Sequence, residues 1–258
     1  MNRAGVTIAI PNWNHEVFLP RSIGASLKAV RCLREKGMDG EVLVVDDASR
    51  DGSASLLRSL EARHGRDGLR VVIQEENRGL AATRNYALVQ SRFRSIVFHD
   101  ADNELIGENL PLFVQSIDET GAAAVYGNLL VRYANRPTAF WVNSNESFQP
   151  RVFDSNFIDA FALFDRVQMM DLGGYCQSQQ TWADWELWLH LATNGRRLVF
   201  VPLTFGVYHV LPNSMLQATT DHDSIKLKFK RMFDQVGFRK GLPLRTKHDR
   251  YFPGVGVV

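Results

Sequence analysis

The chain is poor in cysteine. Only Cys32 and Cys176 occur among 258 residues, too few for a disulfide framework, and a reducing cytosol suits them. Charge of one sign is not in excess either. Thirty Lys and Arg against 28 Asp and Glu leave a formal +2, which argues against a nucleic-acid binder on bulk charge. No apolar run is long enough to span a bilayer, and no signal peptide precedes the strand-like Val6–Ile10. His15, His64, His99, His190, His209, His222 and His248 form no spaced cluster, which argues against a zinc site. Phosphate-cradling loops are missing as well. No Gly-x-Gly-x-x-Gly follows the first strand, and the chain contains no Gly-x-x-x-x-Gly-Lys-Ser/Thr and no Gly-x-Ser-x-Gly. A nucleotide here would be held by carboxylates and a metal. Repeats and low-complexity segments are also absent.

What is present is an ordinary globular balance, 45% hydrophobic and 22% charged, with a regular alternation in the first half. Strands are predicted at Val6–Ile10, Glu41–Asp46, Arg70–Gln74, Ile96–His99 and Ala123–Tyr126. The first, second and fourth are nearly all apolar, as in a sheet covered on both faces. Helices are predicted from Leu19 to Leu33, with Pro20 near the start, and over about Ser53–Arg63, Leu80–Gln90 and Glu108–Glu119. This βαβαβαβ order predicts an α/β fold with a Rossmann-like, mostly parallel central sheet flanked by helices. The second half is less regular. It suggests a turn at Gly127-Asn128, a strand at Leu129–Tyr133, a polar loop over Asn135–Pro150 and an extended Phe157–Phe164. A break follows at Gly173-Gly174-Tyr175, then a helix over Trp182–Thr193 and short strands at Leu198–Pro202 and Gly206–Val210.

In open parallel sheets ligands bind at the carboxyl ends of strands. Pro11-Asn12-Trp13-Asn14, Asp46-Asp47 and Asp100-Ala101-Asp102 fall at three such ends. Two carboxylates one residue apart concentrate negative charge, which calls for a cation, and hard oxygen ligands suit Mg²⁺ or Mn²⁺. Asp47 suits a base or ribose; Asp51 and Ser53 suit helix capping. Arg84 lies one turn inside its helix, within reach of a phosphate or of a strand-end aspartate. Asp184 opens a Trp-rich helix and is a candidate general base for an acceptor hydroxyl. Glu186, two residues on, faces elsewhere. His209 ends a short strand and is a candidate metal or diphosphate contact.

These segments, in this order, resemble the family 2 glycosyltransferases, which are inverting enzymes of the GT-A fold. The likeness runs from about Thr7 to Ser214. It rests on Ile8-Ala9-Ile10-Pro11-Asn12-Trp13-Asn14, Val44-Val45-Asp46-Asp47-Ala48-Ser49-Arg50-Asp51-Gly52-Ser53, Asn77-Arg78-Gly79 and Ala82-Thr83-Arg84-Asn85. It continues through Asp100-Ala101-Asp102, Leu172-Gly173-Gly174-Tyr175 and Asp184-Trp185-Glu186-Leu187. The resemblance implies that Pro11 and its neighbours through Asn14 line a nucleoside pocket. It further implies that Asp47 reads the base, commonly uracil, that Arg84 lies near the nucleoside or diphosphate, and that Asp100 lies by the ribose. Asp102 would ligate Mn²⁺ or Mg²⁺, His209 would contact metal or diphosphate, and Asp184 would be the catalytic base. Asn103 and Ala183 stand where the family often carries acidic residues.

On this reading residues 1–215 form one GT-A domain. Residues 1–128 are its nucleotide-sugar half, and residues 129–215 are its acceptor half with a smaller mixed sheet. Residues 216–258 form a basic tail, in which Ile225, Phe229, Met232, Phe233 and Val236 recur at helical spacing beside Lys226, Lys228, Lys230 and Arg231. Such a helix packs on the domain or lies on an anionic membrane. The expected activity is metal-dependent transfer of a sugar, from a UDP-sugar by preference, to a glycan or lipid-linked acceptor. The setting would be polysaccharide biosynthesis, in the cytoplasm or at the inner membrane face. A sugar nucleotidyltransferase and a non-catalytic carbohydrate-binding protein are the alternatives.

Overall fold

The computed structural model describes residues 3–133, 140–144, 146–148, 152, 156–177 and 183–211. Strand β1 (Arg3–Asn12) shows how the sheet is built. Val6, Ile8 and Ile10 join one buried cluster and Ala9 joins another. Successive side chains of a strand point to opposite faces, so this strand is covered on both. Its neighbour β2 (Gly40–Asp46) is buried at all seven positions.

Between them runs α1 (Leu19–Glu35), whose Leu19, Ile23, Leu27, Val30 and Leu33 are buried at helical spacing, with Pro20 in its first turn. Next come α2 (Ser53–His64), β3 (Leu69–Ile73), α3 (Leu80–Gln90), β4 (Phe93–Phe98), the two-residue β5 (Glu104–Leu105) and α4 (Leu110–Thr120). The second half supplies β6 (Ala124–Tyr133), β7 (Phe140–Asn143), β8 (Leu163–Asp165), α5 (Arg166–Asp171), α6 (Ala183–Thr193) and β9 (Leu198–Val210). One sheet runs β3-β2-β1-β4-β8-β6-β9-β5, with β7 paired to β6. The first four strands are parallel, as predicted. Beyond β4 the sheet is mixed: β8 is antiparallel to β4 and to β6, while β9 is parallel to β6. The acceptor-side strands, expected as a smaller mixed sheet, are mixed and continue the first one.

The two clusters lie on opposite faces. One gathers α1, α2 and α4; the other gathers α3, α5 and α6, with Trp188 stacked on Phe164 at 5.3 Å between ring centroids.

Three local expectations are corrected. Gly127-Asn128 is no turn, because β6 runs straight through it. The pairing with β9 shifts register there, from Gly127↔Val201 to Asn128↔Thr204, so β9 bulges at Pro202-Leu203. A Cβ on Gly127 would lie 2.5 Å from the Leu203 carbonyl oxygen, so this glycine permits close approach of the two strands rather than a turn. For the same reason Leu198–Pro202 and Gly206–Val210 are one strand. Finally, Phe157–Phe164 is regular only from Leu163, and α5 follows it directly, with the Asp165 carboxylate accepting from Val167 N–H and Gln168 N–H as a helix cap. Trp182, Ser214 and the basic tail lie outside the described residues.

Candidate active site

The carboxyl ends of β1 and β2 are tied together by side chains. Asn12 Nδ2 donates to Asp46 Oδ1 at 2.6 Å, and Ser49 donates to the same carboxylate through Oγ (2.6 Å) and N–H (3.0 Å). Asn14 sits at φ 56°, a left-handed conformation that Asn tolerates. Its N–H donates to Ser49 Oγ and its side-chain oxygen accepts from Arg50 N–H. Buried Pro11 precedes this knot, and Trp13, 51% exposed, stands at its rim. Asp51 accepts from Ser53 N–H at the start of α2 and from Glu16 N–H, but the N-cap position itself is Gly52, without a side-chain cap.

Asp47 turns the other way. It is buried, and its carboxylate accepts from Arg78 N–H and Gly79 N–H, both at 2.8 Å, and from Gln74 Nε2 at 3.2 Å. The adjacent aspartates therefore divide the work. Asp46 knots β1 to the turn after β2, and Asp47 anchors the loop that opens α3. A carboxylate offers about four acceptor positions, so Asp47 retains room for one more donor. Gly79, at φ 84°, makes the turn that aims its own N–H at Asp47.

One turn into α3, Arg84 is buried and donates to Asp100 Oδ1 at 2.7 Å. Its guanidinium carbon lies 5.2 Å from the Tyr175 ring centroid. Tyr175 is held there by Asn85, which donates to the Tyr175 carbonyl and accepts from its N–H, both at 2.8 Å. Gly173 and Gly174, at φ 84° and 72°, allow that return of the chain. The segments Arg84-Asn85 and Gly173-Gly174-Tyr175, about 90 residues apart, are thus one physical unit.

Asp102 follows on the same turn as Asp100. Burial first, then the Asp100 charge, pushes its carboxyl up to about 6. Its carbonyl accepts from Arg21 of α1 at 2.5 Å. Asn103 uses its side-chain oxygen to accept from His209 N–H at 3.0 Å, which pins β9 to the acidic turn. His209 Nε2 lies 2.6 Å from Glu104 Oε1, so the ring reaches a ligand through that atom only by releasing Glu104. Among the described residues no three His, Cys, Asp or Glu side chains form a ready-made metal cage. Magnesium sites, however, commonly use one or two carboxylates plus substrate phosphates. Asp102, a hard oxygen donor destabilised by its neighbour's charge, fits that partial donor set.

Asp184 stands in the first turn of α6. Burial raises its carboxyl, opposed by first-turn N–H groups, by Arg84 and by Asn156, whose amide donates to Oδ2 at 2.8 Å. Glu186 is also raised by burial, but its charged neighbour is His190, so the two acids of this helix face different surroundings. Asp159 joins the cleft: burial, then Asp184 and Asp100, pushes its carboxyl up to about 7. Tyr208 of β9 connects the halves. Burial raises its phenol first, and Asp159, Asp100, Asp102 and Asp184 each add to the effect. The charges of Asp102 and Asp184 therefore both bear on the Tyr208 phenol. Asn156, Asp159, Tyr208 and Arg21 carry no motif. Asn156 and Asp159 lie in an irregular segment, and Arg21 reads as an ordinary helix-surface cation.

Residues 7–173 match the family model described as glycosyl transferase family 2. Glycosyltransferase AglE of Haloferax volcanii is 32% identical over 134 residues, covering 52% of this chain and 42% of that protein. The undecaprenyl-phosphate 4-deoxy-4-formamido-L-arabinose transferase of Pseudomonas aeruginosa is 36% identical over 110 residues, covering 43% and 31%. The chain thus spans less than half the length of these curated relatives. In fold it is similar to S. aureus TarS in complex with UDP-GlcNAc (TM-score 0.71, 15% identity, 93% of this chain and 68% of that one). It is also similar to the mannosyltransferase PcManGT of Pyrobaculum calidifontis with GDP-Man and Mn²⁺ (TM-score 0.66, 21% identity, 94% and 66%). The architecture is the GT-A type of those neighbours, and the chain belongs to glycosyl transferase family 2.

Proposed function

We propose that this protein is an inverting, metal-dependent glycosyltransferase that moves a sugar from a nucleoside diphosphate sugar, UDP-sugar by preference, to a glycan or lipid-linked acceptor. What supports the reading is that Asp102 and Asp184, from opposite halves of the chain, both bear on the Tyr208 phenol. Pro11, Asn14 and Asp47 border the nucleoside, Arg84 and Asp100 the ribose and diphosphate, and His209 the diphosphate side of the acidic turn. Asp102, together with the donor phosphates, would hold Mn²⁺ or Mg²⁺, which would supply Lewis-acid neutralisation of the departing diphosphate.

Asp184 acts as general base. It takes the proton from the acceptor hydroxyl as that oxygen bonds to the anomeric carbon, while the bond to the diphosphate oxygen breaks with its electron pair. Base and leaving group on opposite sides of that carbon give inversion. Relatives named for undecaprenyl-phosphate transfer and, in Homo sapiens, dolichyl-phosphate transfer support a lipid-linked acceptor. Such an acceptor fits work at the inner, cytoplasmic membrane face. Among the described residues no helix is long and apolar enough to cross a membrane. The basic tail, with Lys226, Lys228, Lys230 and Arg231, is the candidate membrane contact.

Calorimetry with UDP, GDP and dTDP in the presence of Mn²⁺ tests the donor side. Binding of at least one is expected, and failure of all three overturns the reading. Asp184→Asn is expected to lower turnover about 10²-fold or more while sparing nucleotide affinity; unchanged turnover clears Asp184 of the base role.

A further inference from the structure

The segment 156–162, which leads into β8, is irregular yet tightly tied. Asn156 Oδ1 accepts from Ile158 N–H at 3.3 Å, and Asn156 Nδ2 donates to Asp184 Oδ2 at 2.8 Å. Reversing the amide would point NH₂ at an N–H and oxygen at a carboxylate, so both contacts set its orientation. Asp159 N–H donates to Ser144 Oγ and Asp159 Oδ1 accepts from Phe161 N–H. From α6 itself, Trp185 Nε1 donates to the Val152 carbonyl. The side chain that meets Asp184 is thus fixed by the backbone around it.

We propose that Asn156 is a positioning residue for Asp184: its amide sets the carboxylate's orientation and favours the ionised form that accepts the acceptor's proton. This rests on the reading of Asp184 as base. A hydrogen bond to a charged acceptor is stronger than one to its neutral form, so the amide supports Asp184 before proton transfer and less so after it. The charged and titratable groups facing Asp184 are Arg84 from α3 and Asp159 from the segment of Asn156, together with the phenols of Tyr175 and Tyr208. Asp100 lies across Arg84. Among the described residues only Arg84 of these is cationic, and it is committed to Asp100, which leaves Asn156 as the side-chain donor bonded to Asp184.

The test is the pH profile of kcat/KM for sugar transfer, or for donor hydrolysis with water as acceptor, in full-length Asn156→Ala, Asn156→Ser and Asn156→Asp. Thermal melts and UDP or GDP affinity report folding, and nucleotide affinity is expected to stay within about twofold because Asn156 lies away from the nucleoside side. The acid limb is expected to move up by about one pH unit in Asn156→Ala, the size of a lost hydrogen bond to a charged group. Asn156→Ser, which keeps a hydroxyl donor, should fall between wild type and Ala. Asn156→Asp is isosteric yet should shift furthest, because it sets a second carboxylate against the first. A packing role predicts the reverse order, with Asp the mildest. Unshifted limbs, or Asp milder than Ala, overturn the inference while an inactive Asp184→Asn leaves the parent reading standing. Full turnover in Asp184→Asn overturns both.

Discussion

Asp159 is a residue whose charge the fold resists. Its carboxyl is pushed up to about 7, by burial first and then by Asp184 and Asp100. An unfolded Asp titrates near 3.9. Between those values the folded state holds a proton that the unfolded state has released. Stability therefore falls as pH rises from about 4 towards 7, and the loss is complete above the folded value. Asp159→Asn removes that penalty while keeping the oxygen that accepts from Phe161 N–H. The variant should melt several degrees higher than wild type at pH 8 and close to it at pH 4. Calorimetric melts at the two pH values check this; an equal difference at both would show that the Asp159 charge is not the cause. The opposite sign applies to His99, fully buried, with Nδ1 3.0 Å from Ser26 Oγ and its ring stacked on Phe161. Burial lowers it to about 4, so it supports the fold above about pH 6.5 and withdraws that support as pH falls.

Among the elements, the junction of β6 and β9 depends on a single missing Cβ. At Gly127 that atom would meet the Leu203 carbonyl oxygen and the Phe113 ring, each at 2.5 Å. Backbone cannot yield as a flexible side chain does, so Gly127→Ala should cost on the order of 2 kcal/mol in chemical denaturation. A loss under about 0.5 kcal/mol would mean that the bulge at Pro202-Leu203 relaxes freely. The same glycine explains why this region was misread from sequence. A glycine between two apolar runs looks like a turn, yet its reason is a strand approaching from 76 positions later, at Leu203. By contrast β1, β2 and α1 are legible because each carries its own signal: two buried faces, or a periodic apolar stripe. With two residues β5 has no period to read, and the six residues of α5 are announced only by the cap at Asp165. The candidate site divides likewise. Acids that end apolar runs could be read, whereas Asn156, Asp159 and Tyr208 acquire their relation to Asp184 only when β8 and β9 join the sheet beside the parallel strands.

Over the whole molecule, the described residues of the candidate site carry more negative than positive charge. Asp47, Asp100, Asp102, Asp159 and Asp184 come from loops and elements of both halves, while Arg84 is spent on Asp100 and Arg21 lies by the Asp102 carbonyl and Glu104. A nucleoside diphosphate entering such a field is repelled unless a cation accompanies it, whereas an uncharged nucleoside is not. Mn²⁺ or Mg²⁺ should therefore raise UDP or GDP affinity at least about tenfold and leave the matching nucleoside nearly unchanged. A carboxylate binds a cation only when ionised, and the Asp102 carboxyl sits at about 6. The metal-dependent gain should accordingly be full near pH 8, fall through pH 6 and be largely lost at pH 5. Asp102→Asn should flatten that profile by removing the gain at every pH. Isothermal titrations of nucleotide and nucleoside, with and without metal, at pH 5, 6 and 8 would settle it. Equal metal dependence for the nucleoside and its diphosphate, or a gain that persists in Asp102→Asn, would locate the cation away from the acidic turn.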